Sequence, residues 1–194
     1  MKPLLPLALL LLLAIRVPAQ ERAPAFDPDA ARDSFSKGVT KKPGKYLTKS
    51  VGGDPVTKRF YTKDALVVTR QSGATETRPY VAVPLLFRVN TAELLDPISR
   101  DNVLKLAALL KSFDAEKTAF AIEGHASAEG DPQRNRELSQ LRAAEINSLL
   151  RAEGVRAALL VRQEGFGADH ATQSRTAGEP QRQQDRRVLV VQER

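Results

Sequence analysis

Arg142 is the residue whose chemistry stands out most in this sequence. A helix is predicted from residue 132 to about residue 153, and one of its faces is apolar. That face carries Leu138, Leu141, Ile146 and Leu149. At 100° per residue Arg142 falls inside the same face, where burial of a guanidinium without a partner is costly.

Two interpretations of Arg142 remain open. In the first, its side chain reaches the edge of the face or pairs with an internal carboxylate such as Glu123. In the second, it points out of the end of the sheet toward an anionic ligand. The planar guanidinium matches a carboxylate in bidentate fashion.

The loop at residues 124–130 is the second candidate for ligand chemistry. It joins a predicted strand to the start of the Arg142 helix, where backbone amides and the helix dipole favour anions. Its glycines permit tight turns. Loop amides, Ser127 and Arg142 are therefore expected to converge on one small acidic group.

The same loop does not predict catalysis. His125 lies near Glu123 and Glu129, but the chain has two histidines, no cysteine and no metal-ligand motif. Ser127 lies two residues from His125 without the surroundings of an activated nucleophile. The Gly-Phe-Gly motif at 165–167 lacks a phosphate-loop pattern. We expect no enzyme activity, no metal and no cofactor.

The predicted secondary structure places these residues at strand and helix ends. The apolar run at 80–87 predicts a buried strand, in which Pro84 indicates a bulge or an edge. Asp96 and Pro97 predict a helix start. The apolar stripe of that helix is Val103, Leu106, Leu110 and Phe113.

The remaining elements define the fold class. A second strand is predicted at 120–122, and Asp131 starts a second helix that ends at Gly154. Strands are also predicted from residue 159 to the Gly-Phe-Gly motif and over 187–191. The order β-α-β-α-β-β predicts an α/β domain, or an α+β sandwich, in which helices pack on a mixed sheet.

The N-terminus resembles an export signal. Residues 4–15 are apolar, Lys2 precedes them, and small residues at Val17 and Ala19 suggest cleavage before Gln20. The run is too short to span a bilayer comfortably. We predict a signal peptide at 1–19, with an uncleaved anchor as the alternative, and a soluble periplasmic or envelope protein with no further transmembrane segment.

Composition narrows the partners. The net charge of +7 suits a polyanion such as a carboxylate-bearing cell wall, and export argues against nucleic acid. The absence of cysteine excludes disulfides and a lipid-modified N-terminal cysteine.

Residues 20–79 are predicted to form a basic, poorly structured arm. Residues 37–63 contain eight basic residues and one acidic residue. They form either a solvated, partly disordered arm or an electrostatic tether to an anionic surface. The short apolar clusters also allow a hairpin around residues 59–61 and 65–69.

From residue 80 to 191 the sequence resembles the peptidoglycan-binding C-terminal domain family of OmpA. The motifs, in order, are Gly124-His125, Gly130, Asn135, Leu138-Ser139, Arg142-Ala143 and Gly154-Val155. They match the family pattern GHTDxxG, N, LS, RA and a helix-ending glycine. The Gly-Phe-Gly motif, Asp185-Arg186-Arg187-Val188 (the family's NRRV) and the entry segment at 86–94 extend the resemblance.

The resemblance implies an OmpA-like domain over 80–194 that binds peptidoglycan without catalysis, through the diaminopimelate residue of the stem peptide. It assigns the ligand-reading arginine to Arg142, and it assigns Ser127 to the position of a family aspartate. Serine cannot balance an ammonium charge. Either Glu129 or Glu123 replaces the carboxylate, or affinity is weaker, or the ligand differs. The predicted site is Arg142, Ser127, Asn135, Asn90, Thr91, Ala126 and Arg187.

Two other functions stay open. Because Ser127 departs from the pattern, the domain is alternatively an envelope assembly module that docks a protein partner instead of the wall. A weaker alternative is an envelope hydrolase.

Overall fold

The computed structural model describes residues 22–36, 56–62, 65–126, 130–168 and 187–193. The predicted signal peptide, Ser127, Glu129, Asp185 and most of the basic segment at 37–63 lie outside the described residues. Among the helices that the structure describes, none is long and apolar enough to cross a membrane.

In chain order, the described elements are helix α1 (Pro28–Ser36), strands β1 (Val56–Tyr61), β2 (Ala65–Arg70) and β3 (Thr75–Val83), helix α2 (Pro97–Lys111), strand β4 (Phe120–Gly124), helix α3 (Pro132–Ala152), a 3-10 turn (Ala157–Leu159), and strands β5 (Leu160–Gly165) and β6 (Val188–Gln192). The strand predicted at 80–87 therefore begins earlier and ends just before Pro84. Pro84 lacks the amide that a further ladder bond would need.

One curled, mixed sheet contains the six described strands in the order β1-β2-β3-β6-β4-β5. The pair β4 and β5 is parallel, whereas β6 runs antiparallel to both β3 and β4. The predicted mixed sheet is confirmed, and the antiparallel direction of β6 decides a point that the sequence left open. The parallel pair follows from the α3 crossover, which returns the chain to the same end of the sheet.

The two main helices, α2 and α3, start at the two Asp-Pro pairs, as predicted. The Asp96 side chain accepts a hydrogen bond from the Ser99 amide, and the Asp131 side chain accepts one from the Arg134 amide at 2.7 Å. These caps satisfy amides that have no partner within the helix. Gly154, at φ +85°, follows α3 in the left-handed conformation that favours glycine.

Helices α2 and α3 pack on one face of the sheet, and the largest core lies between them. Its fully buried side chains include Leu106, Leu110, Phe120, Ile122, Ile146, Leu150 and Val190. Three of the four apolar residues predicted for the α2 stripe are buried there. The fourth, Phe113, is partly buried against the same core.

Residues 22–36 belong to this core, which corrects the prediction of a poorly structured arm. Phe35 of α1 packs edge-on against Phe120 at a centroid distance of 5.0 Å. The Ala23 amide donates to the Asp96 carboxylate, and the Phe26 amide donates to the Asn102 side chain, both at 2.8 Å. The segment has only two large apolar side chains, Phe26 and Phe35, so its docking depends on tertiary contacts that local pattern does not show.

The β1–β2 hairpin covers the opposite face of the sheet. The predicted hairpin is confirmed, since β1 and β2 pair antiparallel, and the prediction of an unstructured arm is wrong for residues 56–62 and 65–79 as well. A second apolar cluster fills the space beneath the hairpin. Its members are Tyr61, Leu66, Val68, Tyr80, Ala121, Leu189 and Val191.

Two glycines let α3 approach the sheet closely. A Cβ on Gly124 would lie 2.1 Å from the Ser139 carbonyl oxygen, and one on Gly165 would lie 2.1 Å from the Gln140 amide nitrogen. This contact rotates the buried face of α3 toward Ser139 and Ala143. Leu141, predicted on the apolar face, is consequently 59% exposed, and Arg142 lies at the rim of the buried face.

Candidate functional site

Arg142 is buried, with 3% of its surface exposed, and the segment before α2 fixes its position. Its Nε atom donates to the Thr91 carbonyl oxygen at 3.1 Å. The guanidinium carbon lies 4.7 Å from the centroid of the Phe87 ring, a cation–π geometry. These contacts restrict the side chain to one orientation at the end of the sheet.

The turn that presents Thr91 is closed by its own hydrogen bonds. The Arg88 amide donates to the Glu93 carbonyl at 2.8 Å, and the Leu95 amide donates to the Leu86 carbonyl at 2.8 Å. At its tip Asn90 is exposed and has φ +59°, a left-handed conformation that asparagine tolerates better than most residues. The turn therefore holds Asn90 and Thr91 in a fixed arrangement beside Arg142.

The described start of the predicted binding loop, residues 124–126, is bonded to two neighbouring segments. The His125 amide donates to the Arg187 carbonyl oxygen, and the Ala126 amide donates to the Gly167 carbonyl oxygen, both at 2.8 Å. Ala126 is thus bonded to Gly167, and the residue before it is bonded to Arg187. Asn135 is half-buried in the first turn of α3, which follows this loop, and Ser127 lies outside the described residues.

Helix α3 also binds the Gly-Phe-Gly segment through side chains. The Ser139 Oγ atom accepts from the Gly167 amide at 2.8 Å, and the Gln140 Oε1 atom accepts from the Gly165 amide at 2.7 Å. These bonds satisfy amides at the end of β5 and hold the helix that carries Arg142 in register with it.

Glu123 faces away from Arg142. Side chains alternate along a strand, so Phe120 and Ile122 face the helices while Glu123 points under the hairpin. Its fully buried carboxylate binds Arg59 at 2.5 Å, Arg162 at 2.7 Å and the Tyr61 hydroxyl at 2.5 Å. Pairing of Arg142 with Glu123 is therefore wrong, and so is the suggestion that Glu123 replaces the missing carboxylate in the site.

The charge state of Glu123 reflects its two arginines. Burial is the largest single influence and by itself raises the pKa of the carboxyl. Arg59, Arg162, the Tyr61 hydrogen bond and His125 together outweigh burial and lower the pKa of Glu123 to about 2. Glu123 is thus an ionised internal anchor between β4, β5 and the hairpin.

Several contacts in this region are not predicted by the sequence. Phe87 was predicted only as a strand residue, yet its ring supports Arg142. Arg59 and Tyr61 were assigned to a basic arm, yet they reach Glu123 of a distant strand. Because side chains alternate along a strand, apolar Phe120 and Ile122 indicate that Glu123 lies on the opposite face of β4. No sequence signal shows which segment covers that opposite face.

Among the residues that the structure describes, no group of three or more acidic or histidine side chains could hold a metal ion. The described amides of the loop, at His125 and Ala126, already donate to the Arg187 and Gly167 carbonyl oxygens, so what these residues provide is a fixed guanidinium beside a polar turn. Such an arrangement suits recognition of a small anionic group.

Comparison with known proteins identifies the family of this domain. The model of the OmpA family matches residues 86–186, just over half of the chain. The chain belongs to the OmpA family. No curated protein matches the sequence.

Several solved structures are similar in fold. The periplasmic domain of Helicobacter pylori MotB is 12% identical, with a TM-score of 0.48 over 70% of this chain and 87% of that one. The peptidoglycan-associated lipoprotein of Burkholderia pseudomallei is 22% identical, with a TM-score of 0.46 over 56% of this chain and 87% of that one. The OmpA-like domain of FopA1 from Francisella tularensis is 15% identical, with a TM-score of 0.45 over 78% and 94%.

Proposed function

We propose that this chain is a non-catalytic module that binds peptidoglycan and holds an exported protein at the bacterial cell wall. Membership of the OmpA family supports the kind of ligand. The observation that carries the proposal is the fixed position of Arg142, held between the Thr91 carbonyl and the Phe87 ring at the end of the sheet.

The ligand group is a carboxylate of the stem peptide, with diaminopimelate as the residue recognised. The planar guanidinium of Arg142 matches a carboxylate in bidentate fashion. Asn90, Thr91 and Ala126, together with the polar residues Ser127, Asn135 and Arg187, complete the proposed pocket. The signal peptide at 1–19 and a periplasmic location are part of the same proposal.

Arg142→Ala tests this assignment. A hydrogen bond to a charged group contributes roughly 1.5–3 kcal/mol net, so the variant should bind isolated peptidoglycan sacculi about ten- to a hundredfold more weakly. Arg142→Lys should restore only part of the binding, since a point charge lacks the planar fork. Co-sedimentation with sacculi measures both, after circular dichroism has shown that each variant is folded.

Arg151→Ala is the matched control, because Arg151 is exposed in the last turn of the same helix. It removes the same charge from α3 and should leave binding unchanged. Unchanged sacculus binding by a folded Arg142→Ala protein would contradict the proposal.

A second candidate function rests on Ser127, which stands where the family pattern has an aspartate. A domain without that carboxylate would instead dock an envelope protein as an assembly module. Failure of the wild-type chain to sediment with sacculi would favour this function. Release of soluble muropeptides during the same assay would instead indicate a hydrolase.

A further inference from the structure

The hairpin of β1 and β2 lies outside residues 86–186, the part of the chain that matches the family model. It nevertheless contacts both backbone segments that border the proposed site. One is the start of the binding loop at 124–126, and the other is the Gly-Phe-Gly segment at 165–167. These contacts come from two side chains of β1, Arg59 and Tyr61.

Tyr61 links the hairpin to the binding loop through its hydroxyl. The Oη atom donates to Glu123 at 2.5 Å and lies 3.4 Å from the Nε2 atom of His125. Burial raises the pKa of Tyr61, and the Glu123 carboxylate raises it further, so the phenol keeps its proton. That proton is committed to Glu123, so Oη can only accept from His125, and the Nε2 atom of His125 carries the hydrogen.

The aromatic rings extend the same link to the Gly-Phe-Gly segment. The His125 ring stacks on Phe166 at 5.6 Å with an interplanar angle of 16°, and it meets the Tyr61 ring edge-on at 5.3 Å. The Arg59 guanidinium lies 4.4 Å from the Phe166 ring centroid. Arg59 and Tyr61 therefore enclose the His125–Phe166 pair from the hairpin side.

We propose that Tyr61 is a positioning residue for peptidoglycan recognition. It holds His125, and with it the amides of residues 125 and 126, at the place where the loop enters the binding site. The inference rests on the proposed function for its effect on binding. Its effect on the loop itself is measurable without any ligand.

The chain offers a matched control for this role in Tyr80. Both tyrosines are buried under the hairpin, their rings meet edge-on at 5.4 Å, and each hydroxyl makes a buried or part-buried hydrogen bond. The Tyr80 hydroxyl, however, donates to the Thr62 carbonyl within the hairpin at 2.8 Å. Tyr61→Phe and Tyr80→Phe each remove one hydroxyl from the same apolar cluster, but only the first removes a contact with the loop.

Amide hydrogen exchange on the whole chain, followed by NMR, tests the positioning step. Tyr61→Phe should speed exchange at His125 and Ala126 about fivefold relative to the core amide of Ile146, as expected for loss of a neutral hydrogen bond of about 1 kcal/mol. Tyr80→Phe should leave that ratio as in the wild type. Equal ratios in the two variants would overturn the inference.

Co-sedimentation with peptidoglycan sacculi then tests the consequence for binding. Tyr61→Phe should bind more weakly than Tyr80→Phe, by about twofold if its loop is displaced in half of the molecules, because the apparent affinity scales with the binding-competent fraction. Equal binding by both variants, with faster loop exchange in Tyr61→Phe, would also overturn a role in recognition. If the wild type does not bind sacculi while the exchange result holds, the proposed function fails and the hairpin–loop coupling stands.

Discussion

Replacing Glu123 with glutamine should destabilise the fold far more than the same change at Glu164, an exposed carboxylate that pairs with Arg162 as well. The carboxylate is fully buried and holds Arg59 at 2.5 Å and Arg162 at 2.7 Å. Glutamine keeps the shape but removes the charge, and its amide group brings a donor toward groups that are themselves donors. Arg162 retains Glu164 and Glu193, whereas Arg59, whose side chain is 14% exposed, loses the carboxylate it faces.

Removing one partner of a buried ion pair typically costs about 3–5 kcal/mol. The lowered pKa gives a similar figure. The difference between the ordinary pKa of the carboxyl, 4.5, and its pKa in the folded protein, about 2, corresponds to about 3 kcal/mol. Urea denaturation at pH 7 should therefore show a midpoint about 2 M lower, at a slope of roughly 2 kcal/mol per M.

Glu164→Gln is the control for this comparison. Glu164 also pairs with Arg162, at 2.5 Å, but its side chain is 48% exposed. Exposed pairs contribute about 0–1 kcal/mol, so this variant should shift the urea midpoint only slightly. Equal losses in the two variants would refute the reasoning from burial.

The pH dependence gives an independent check. The folded pKa of Glu123 lies below its unfolded value, so the carboxylate stabilises the fold above about pH 4.5, and this stabilisation is lost as pH falls toward 2. Glutamine does not titrate in this window. The stability difference between wild type and Glu123→Gln should shrink between pH 5 and pH 2, and a constant difference would show that charge is not its source.

Two further predictions concern the proposed site and the close approach of α3. Ser127→Asp should tighten binding to a diaminopimelate-containing stem peptide about tenfold, because the new carboxylate supplies a partner for the ligand's ammonium. Isothermal calorimetry should show no such gain for Ser127→Asn. An equal gain in affinity for both variants would rule out charge pairing. Gly165→Ala should lose about 3 kcal/mol of stability, because its Cβ would lie 2.1 Å from the backbone nitrogen of Gln140. The exposed neighbour Gln163→Ala should stay within about 0.5 kcal/mol of the wild type, and equal melting temperatures for the two would contradict the packing argument.

Elements with local signals were predictable from the sequence. Asp96 and Asp131 cap their helices through side-chain bonds to nearby amides, and the glycine after α3 ends it. Strand β4 is short but strongly apolar. In each of these cases the residues that decide the structure lie within a few positions of one another, so a local pattern carries the information.

Helix α1 was missed because distant residues stabilise it. Its segment contributes few apolar side chains, and its backbone amides bind Asp96 and Asn102, more than 70 residues away. For a similar reason, only part of the candidate site could be predicted. Arg142 could be singled out because a charge on an apolar face is unusual, but its contacts with Thr91 and Phe87 join a helix to a turn about 50 residues earlier.

The contacts of the N-terminal residues bear on where the folding unit begins. A chain starting at Tyr80 would keep Arg162 beside Glu123 but lose Arg59 and Tyr61. Without the hairpin, the apolar side chains of Leu189 and Val191 would lose their cover. Without α1, the ring of Phe120 would lose Phe35 on the other face.

Each of these losses exposes apolar surface or leaves a buried charge with fewer partners, and both are costly. We infer that the folding unit begins by Ala23, whose amide binds Asp96, and not at residue 80. The hairpin and α1 then pack on opposite faces of the strand that carries Ala121 and Phe120. The same side chains, Arg59 and Tyr61, bind Glu123 and contact Phe166 and His125, so the proposed positioning of the binding loop would draw on contacts that also stabilise the hairpin.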